Sequence, residues 1–112
     1  MTDVAVRVVL VTAPSDEVAA TLARAVVNER LAACGNIVPG LRSIYRWQDE
    51  VLEEPEVLLL LKTTAGRVAA LTHRITELHP YEVPEVLALP VSAGLGSYLS
   101  WVEGAVVPGE KQ

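Results

Sequence analysis

Between Leu78 and Pro90 the chain reads LHPYEVPEVLALP, with a histidine, a tyrosine and two glutamates set among three prolines. Imidazole and carboxylate are donors for divalent metal ions, and either can hydrogen-bond a ligand. His79 stands where Pro80 forces a helix to stop. A histidine there can simply complement the negative end of the helix dipole, or it can ligate a metal or contact a ligand. Glu82 and Glu85 flank Val83 and Pro84 and are loop carboxylates in either case. With its backbone fixed by proline, the segment is either a stiff linker or a scaffold that presents a site.

Three further side chains carry chemistry. Lys62 follows four leucines. Such a lysine reaches solvent by laying its stem along the sheet, or it meets an anion at a sheet end. Cys34 is the single cysteine, so no internal disulfide and no zinc-type spacing can form. With no Cys–His motif in reach, Cys34 reads as a small buried residue. His73 lies off the apolar stripe of its helix and faces solvent. No HExxH, phosphate-loop, GxSxG or dinucleotide motif occurs, so nothing specifies an enzymatic reaction.

The elements that must position these residues follow from periodicity. Residues 4–12 are β-branched and apolar, a buried strand. Ser15 is a helix cap with Asp16 and Glu17 in the first turn. Val18, Leu22 and Val26 form one stripe, the helix ends near Arg30, and Gly35 lies just beyond. Residues 36–47 and 51–62 are two hairpin arms turning at QDE, kinked where Pro39–Gly40 and Pro55 interrupt them. Thr64 is a possible cap for a second helix whose stripe is Val68, Leu71, Ile75 and Leu78. EVLALPV is a fourth strand, and Ser97 caps a short helix holding Tyr98 and Trp101. The order is βαββαβ plus a C-terminal helix. This predicts an α+β, ferredoxin-like sandwich, with other α+β sandwiches as the competitor.

The hairpin is too long for that sandwich. An arm of about twelve residues spans about 40 Å, whereas a helix of about fourteen covers about 21 Å. The projecting tip carries Ile44, Tyr45, Trp47, Val51 and Leu52, which predicts pairing with a neighbouring subunit rather than a free apolar patch.

Composition bounds the rest. A chain of 112 residues with 51% hydrophobic content suits one domain, residues 1–112, with a real core. Its net charge of −5 argues against nucleic-acid partners. The longest apolar run is far short of a membrane span, and the N-terminus lacks a basic leader, so a cytoplasmic protein is expected.

The segments TAP, ERLAACGNIVPGLRSIYRWQDEV, EVLLLLKT, ELHPYEVPEVLALPV and YLSWV, in this order and spacing, resemble the CutA family of divalent-cation tolerance proteins. The resemblance runs from about Val8 to Val102. It implies a tightly packed homotrimer, similar in build to PII-type signalling proteins, with hairpins pairing across subunits. It also implies association with copper or another divalent cation, and no catalysis. The recurring polar and aromatic positions of the family fall here on Trp47, Lys62, His79, Tyr81, Glu82 and Trp101, expected near subunit boundaries. Some bacterial members carry a cysteine just before TAP and a second histidine before HPY, plausible soft copper ligands. Here those places hold Val11 and Leu78. The expectation is therefore weak metal binding at His79, with Lys62, Tyr81, Glu82 and Trp47 lining a ligand site. The alternatives are a PII-like sensor binding a small anion near Lys62, and a small enzyme using Cys34 or His79.

Overall fold

The computed structural model describes residues 4–108. The strands are β1 (Val6–Ala13), β2 (Cys34–Trp47), β3 (Glu50–Thr64) and β4 (Val86–Pro90), and the helices are α1 (Asp16–Asn28), α2 (Val68–Leu78) and α3 (Gly96–Ala105). The strands form one antiparallel sheet in the order β2-β3-β1-β4. This is the expected ferredoxin-like arrangement.

Alternation along the central strands builds the core. Val9, Val11 and Ala13 of β1 and Leu59 and Leu61 of β3 point to one face, where Leu22 and Val26 of α1 and Leu71 and Ile75 of α2 cover them. Ser15 caps α1 as expected, its hydroxyl accepting from the Val18 N–H at 3.1 Å. The helix stops because Arg30 adopts a left-handed conformation, φ 60°. The Arg30 and Leu31 N–H groups then bond back to the Val27 and Val26 carbonyls. Gly35 has a different task from ending the helix. It lies within β2, where an added Cβ would sit 3.0 Å from Leu61 and 3.1 Å from Ala23, so its lack of a side chain lets α1 pack close to the sheet.

Two expected caps are not made. Thr64 is the last residue of β3, extended and without a side-chain cap bond, and the chain enters α2 through a 3-10 turn, Ala65–Arg67. Ser97 lies inside α3, because the Leu99 N–H already bonds to the Leu95 carbonyl at 3.0 Å and the cap falls on Leu95, two residues earlier.

The opposite face of the sheet is apolar as well. Val8, Leu10, Leu58 and Leu60 are half-buried there, and Leu87 and Leu89 remain 54% and 46% exposed. Among the described residues one end of it is covered, where Val102 of α3 and Val106 just after the helix pack with Val6.

The hairpin is longer than its sequence suggested, 14 and 15 residues per arm. Gln48 and Asp49 form its two-residue turn, both with positive φ, which matches the twist of the arms. Val38 pairs with Leu58 but Leu41 pairs with Glu56, so Pro39 and Gly40 together oppose the single residue Val57. This is a β-bulge, and Gly40 takes φ 85° within it. The extra residue reverses the facing of everything beyond it. Ser43 and Tyr45, with Trp47 after them, therefore share a face with Glu54 and Glu56.

Candidate functional site

Pro80 forbids the αR conformation to His79, which takes φ −75°, ψ 138° while its N–H still closes the last turn of α2 on the Ile75 carbonyl. The imidazole is buried, 7% exposed. Its Nε2–H donates to the Thr12 carbonyl at 2.7 Å, and its Nδ1 accepts from the Tyr81 N–H at 3.1 Å. A carbonyl can only accept and an amide N–H can only donate, so the ring is the neutral Nε2–H tautomer. His79 thus ties the end of β1 to the loop before β4.

That tie fixes Tyr81. Its ring lies 4.6 Å from the imidazole, and its hydroxyl donates to Glu56 Oε2 at 2.5 Å. Burial first, and the Glu56 carboxylate second, push the Tyr81 phenol well above the usual tyrosine range. One cross-strand step away, the Tyr45 hydroxyl donates to Glu54, and this bond raises the Tyr45 phenol. Around these groups lies a cleft of about 590 Å³, whose walls include Tyr45, Trp47, Glu56, Tyr81, Glu82 and Glu85.

The structure therefore brings together Trp47, Tyr81 and Glu82 from the expected set, with His79 bonded behind Tyr81. Lys62 is elsewhere. It lies six residues along β3 from Glu56, about 20 Å, toward the other end of the sheet. There its ammonium donates to Asn36 and sits 3.8 Å from Cys34 Sγ, which is also 3.8 Å from the Tyr98 hydroxyl. Burial, then the neighbouring thiol, raise the Tyr98 phenol. Trp101 stacks at a tilt on Tyr98, 5.7 Å away, and is half exposed. Val11 is fully buried in the core and Leu78 packs against it. Neither offers a donor.

Glu56 and Tyr45 were not singled out as site residues by sequence. Their alignment depends on the bulge, whose Pro39–Gly40 signal was legible though its effect on facing was not.

A closed soft-donor copper site does not fit these residues. Among the described residues no group of three or more His, Cys, Asp and Glu side chains is disposed to hold a metal ion. Both nitrogens of His79 are already bonded, and a metal would have to displace the Thr12 or the Tyr81 partner. The described residues contain no helix long and apolar enough to cross a membrane.

The sequence pattern that defines the CutA1 divalent ion tolerance proteins matches residues 7–105. The divalent-cation tolerance protein CutA of Thermus thermophilus is 60% identical over 95 residues, covering 85% of this chain and 92% of that protein. Human protein CutA is 51% identical over 92 residues, 82% of this chain but 51% of the human protein, so the chain spans about half of that relative's length. Among solved structures, the Cut A1 protein of Thermus thermophilus superposes with a TM-score of 0.89 at 56% identity, covering 91% of this chain and 99% of that one. CutA1 of Oryza sativa gives 0.89 at 42% identity, covering 96% and 98%.

Proposed function

The chain belongs to the CutA1 divalent ion tolerance protein family, and from that premise we propose that it acts as a homotrimer whose acidic cleft binds divalent cations, copper among them, weakly. The family is generally non-enzymatic. One observation carries the cation reading. Glu56, Glu82 and Glu85 line the cleft, with Glu54 bonded to Tyr45 beside it, and among the described residues none of the four is paired with a lysine or arginine. The same sign of charge counts against a small anion there. The anionic alternative rests on Lys62, which lies about 20 Å along β3 from Glu56 and whose ammonium is already bound to Asn36.

Assembly has its own support. The radius of gyration is 15.0 Å, against about 13 Å for a compact domain of this length. The excess comes from the hairpin, whose Ile44 and Val51 are 64% and 62% exposed. The uncovered sheet face adds Leu87 and Leu89. Apolar surface on this scale is covered by further copies of the chain. The cytoplasmic location stays part of this proposal, since relatives with this fold are described as periplasmic, from Archaeoglobus fulgidus, or chloroplastic, from Arabidopsis thaliana.

Calorimetric titration of chelator-stripped protein with Cu(II) tests the binding. Weak binding lost in Glu56→Gln/Glu82→Gln and largely kept in His79→Ala supports carboxylate donors. Loss in His79→Ala alone would instead make His79 a ligand that opens from its two hydrogen bonds.

A further inference from the structure

We propose that His79 is a pH-sensitive latch: the neutral imidazole holds the loop between α2 and β4 in place, and protonation of its Nδ1 lets that loop go. The bonds involved all lie within one chain. The latch therefore depends neither on how subunits meet nor on what the cleft holds.

The loop has few attachments. Among the described residues no backbone–backbone hydrogen bond involves residues 80–84, and Pro80 has no N–H to give. The two hydrogen bonds of this stretch both belong to Tyr81. Its N–H donates to His79 Nδ1 at 3.1 Å, and its hydroxyl donates to Glu56 Oε2 at 2.5 Å. One of the two thus ends on a ring nitrogen that can take up a proton. The ring is held in that orientation, because its Nε2–H donates to the Thr12 carbonyl at 2.7 Å and the side chain is buried.

A protonated imidazole carries two donors and no acceptor. Its Nδ1–H would point at the Tyr81 N–H, and the hydrogen bond becomes a repulsion. The groups packed around the ring do little to offset the new charge. β1 presents the Thr12 carbonyl, the loop presents the Tyr81 ring 4.6 Å away, and β3 contributes Glu56 through the Tyr81 hydroxyl. On α2 itself Glu77 is turned to Arg74 and His73. Among the described residues no carboxylate pairs with the His79 imidazole. A buried charge without a partner is unfavourable, and the relief is for the loop to move and let water reach the ring. The loop is then left on the Tyr81–Glu56 bond alone. Imidazole is the side chain that changes charge between about pH 5 and 8. The latch is closed at the alkaline end of that range and opens toward the acid end.

The test uses the full-length protein with isotopic nitrogen at its three tyrosines, the Tyr81 amide being the signal lost in Tyr81→Phe. Protection of that amide from solvent exchange is followed by NMR from about pH 8 down to about pH 5. The expected result is one titration curve along which protection falls at least tenfold. His79→Gln offers a donor and an acceptor but cannot be protonated, and should keep the Tyr81 amide protected throughout. His73→Gln, at the other and exposed histidine, should behave as the unsubstituted protein does. A Tyr81 amide that stays protected down to pH 5 would overturn the proposal, whether the ring remains neutral or is protonated in place. A titration that survives in His79→Gln would assign the change to a carboxylate and overturn it too. If His79→Gln does not fold, the nitrogen signals of the His79 ring decide. A midpoint shared with the Tyr81 amide supports the latch, and separate midpoints overturn it.

Discussion

His79 commits both ring nitrogens to backbone groups that no other side chain reaches, Thr12 and Tyr81. Removing it leaves a part-buried carbonyl and a part-buried N–H without their side-chain partner. His79→Ala is therefore expected to cost about 1–3 kcal/mol in urea unfolding; no loss of stability would show that water or a shifted loop replaces the ring. Tyr81 gives a prediction in pH. Its folded-state pKa lies above that of the unfolded chain, near 10. Below that value the tyrosine is protonated in both states and its contribution to stability is fully present. Above it the unfolded chain ionises first, and stability falls as pH rises. Tyr81→Phe should flatten this alkaline loss, measured as the difference between the two unfolding midpoints from pH 9 upward; parallel curves would mean that the phenol is neither buried nor bonded to Glu56 in solution. Sequence marked His79, Tyr81 and Glu82 as one group because Pro80, Pro84 and Pro90 stiffen the segment that carries them. It could not show that His79 faces inward, since its partner Thr12 is 67 positions away in the chain. Lys62 suits an anion by residue type, and its strand position, not legible as a distance in the sequence, sets it six residues along β3 from Glu56.

The hairpin shows how one backbone irregularity selects side chains. Nothing lies within 4 Å of a Cβ built on Gly40, yet its φ is 85°. Gly40→Ala thus meets no crowding, only the left-handed backbone, and should destabilise by about 1–2 kcal/mol. Gly66, equally uncrowded but without a positive φ, is the control, and Gly66→Ala should be close to neutral in the same thermal melts. Equal effects at both positions would remove strain as the explanation. Prolines and the turn made the kinked hairpin readable from sequence, and the stripes of α1 and α2 were clear at 3.6-residue spacing. The starts of α2 and α3 were not, because Thr and Ser near a helix start look alike whether or not their hydroxyls reach a free N–H. The end of α1 was placed near Arg30, but the left-handed turn that makes it was not legible, since an arginine stands where glycine is usual.

At the scale of the molecule, the proposed trimer would cover the apolar sheet face and the overlong hairpin, and folding and assembly would then be one equilibrium. Unfolding midpoints should rise with protein concentration, and Leu89→Glu should lower both the trimer seen by light scattering and the unfolding midpoint. A trimer unchanged by Leu89→Glu would locate the contact in the hairpin alone. The order of events on the way to that state is set by strand register. β2 and β3 are joined by a two-residue turn, whereas β4 must find β1 with most of the chain between them, Val11 opposite Val86 and Arg7 opposite Pro90. Local pairing closes in microseconds and distant pairing waits on loop closure. The hairpin is then the early event and β4 a late one. Since β4 brings Leu87 and Leu89 to the open face, and the loop before it brings Tyr81 to Glu56, the association surface and the cleft are completed by the same slow step. In stopped-flow refolding, Trp47 beside the turn should report a fast unimolecular phase, and subunits should begin to find one another only after it.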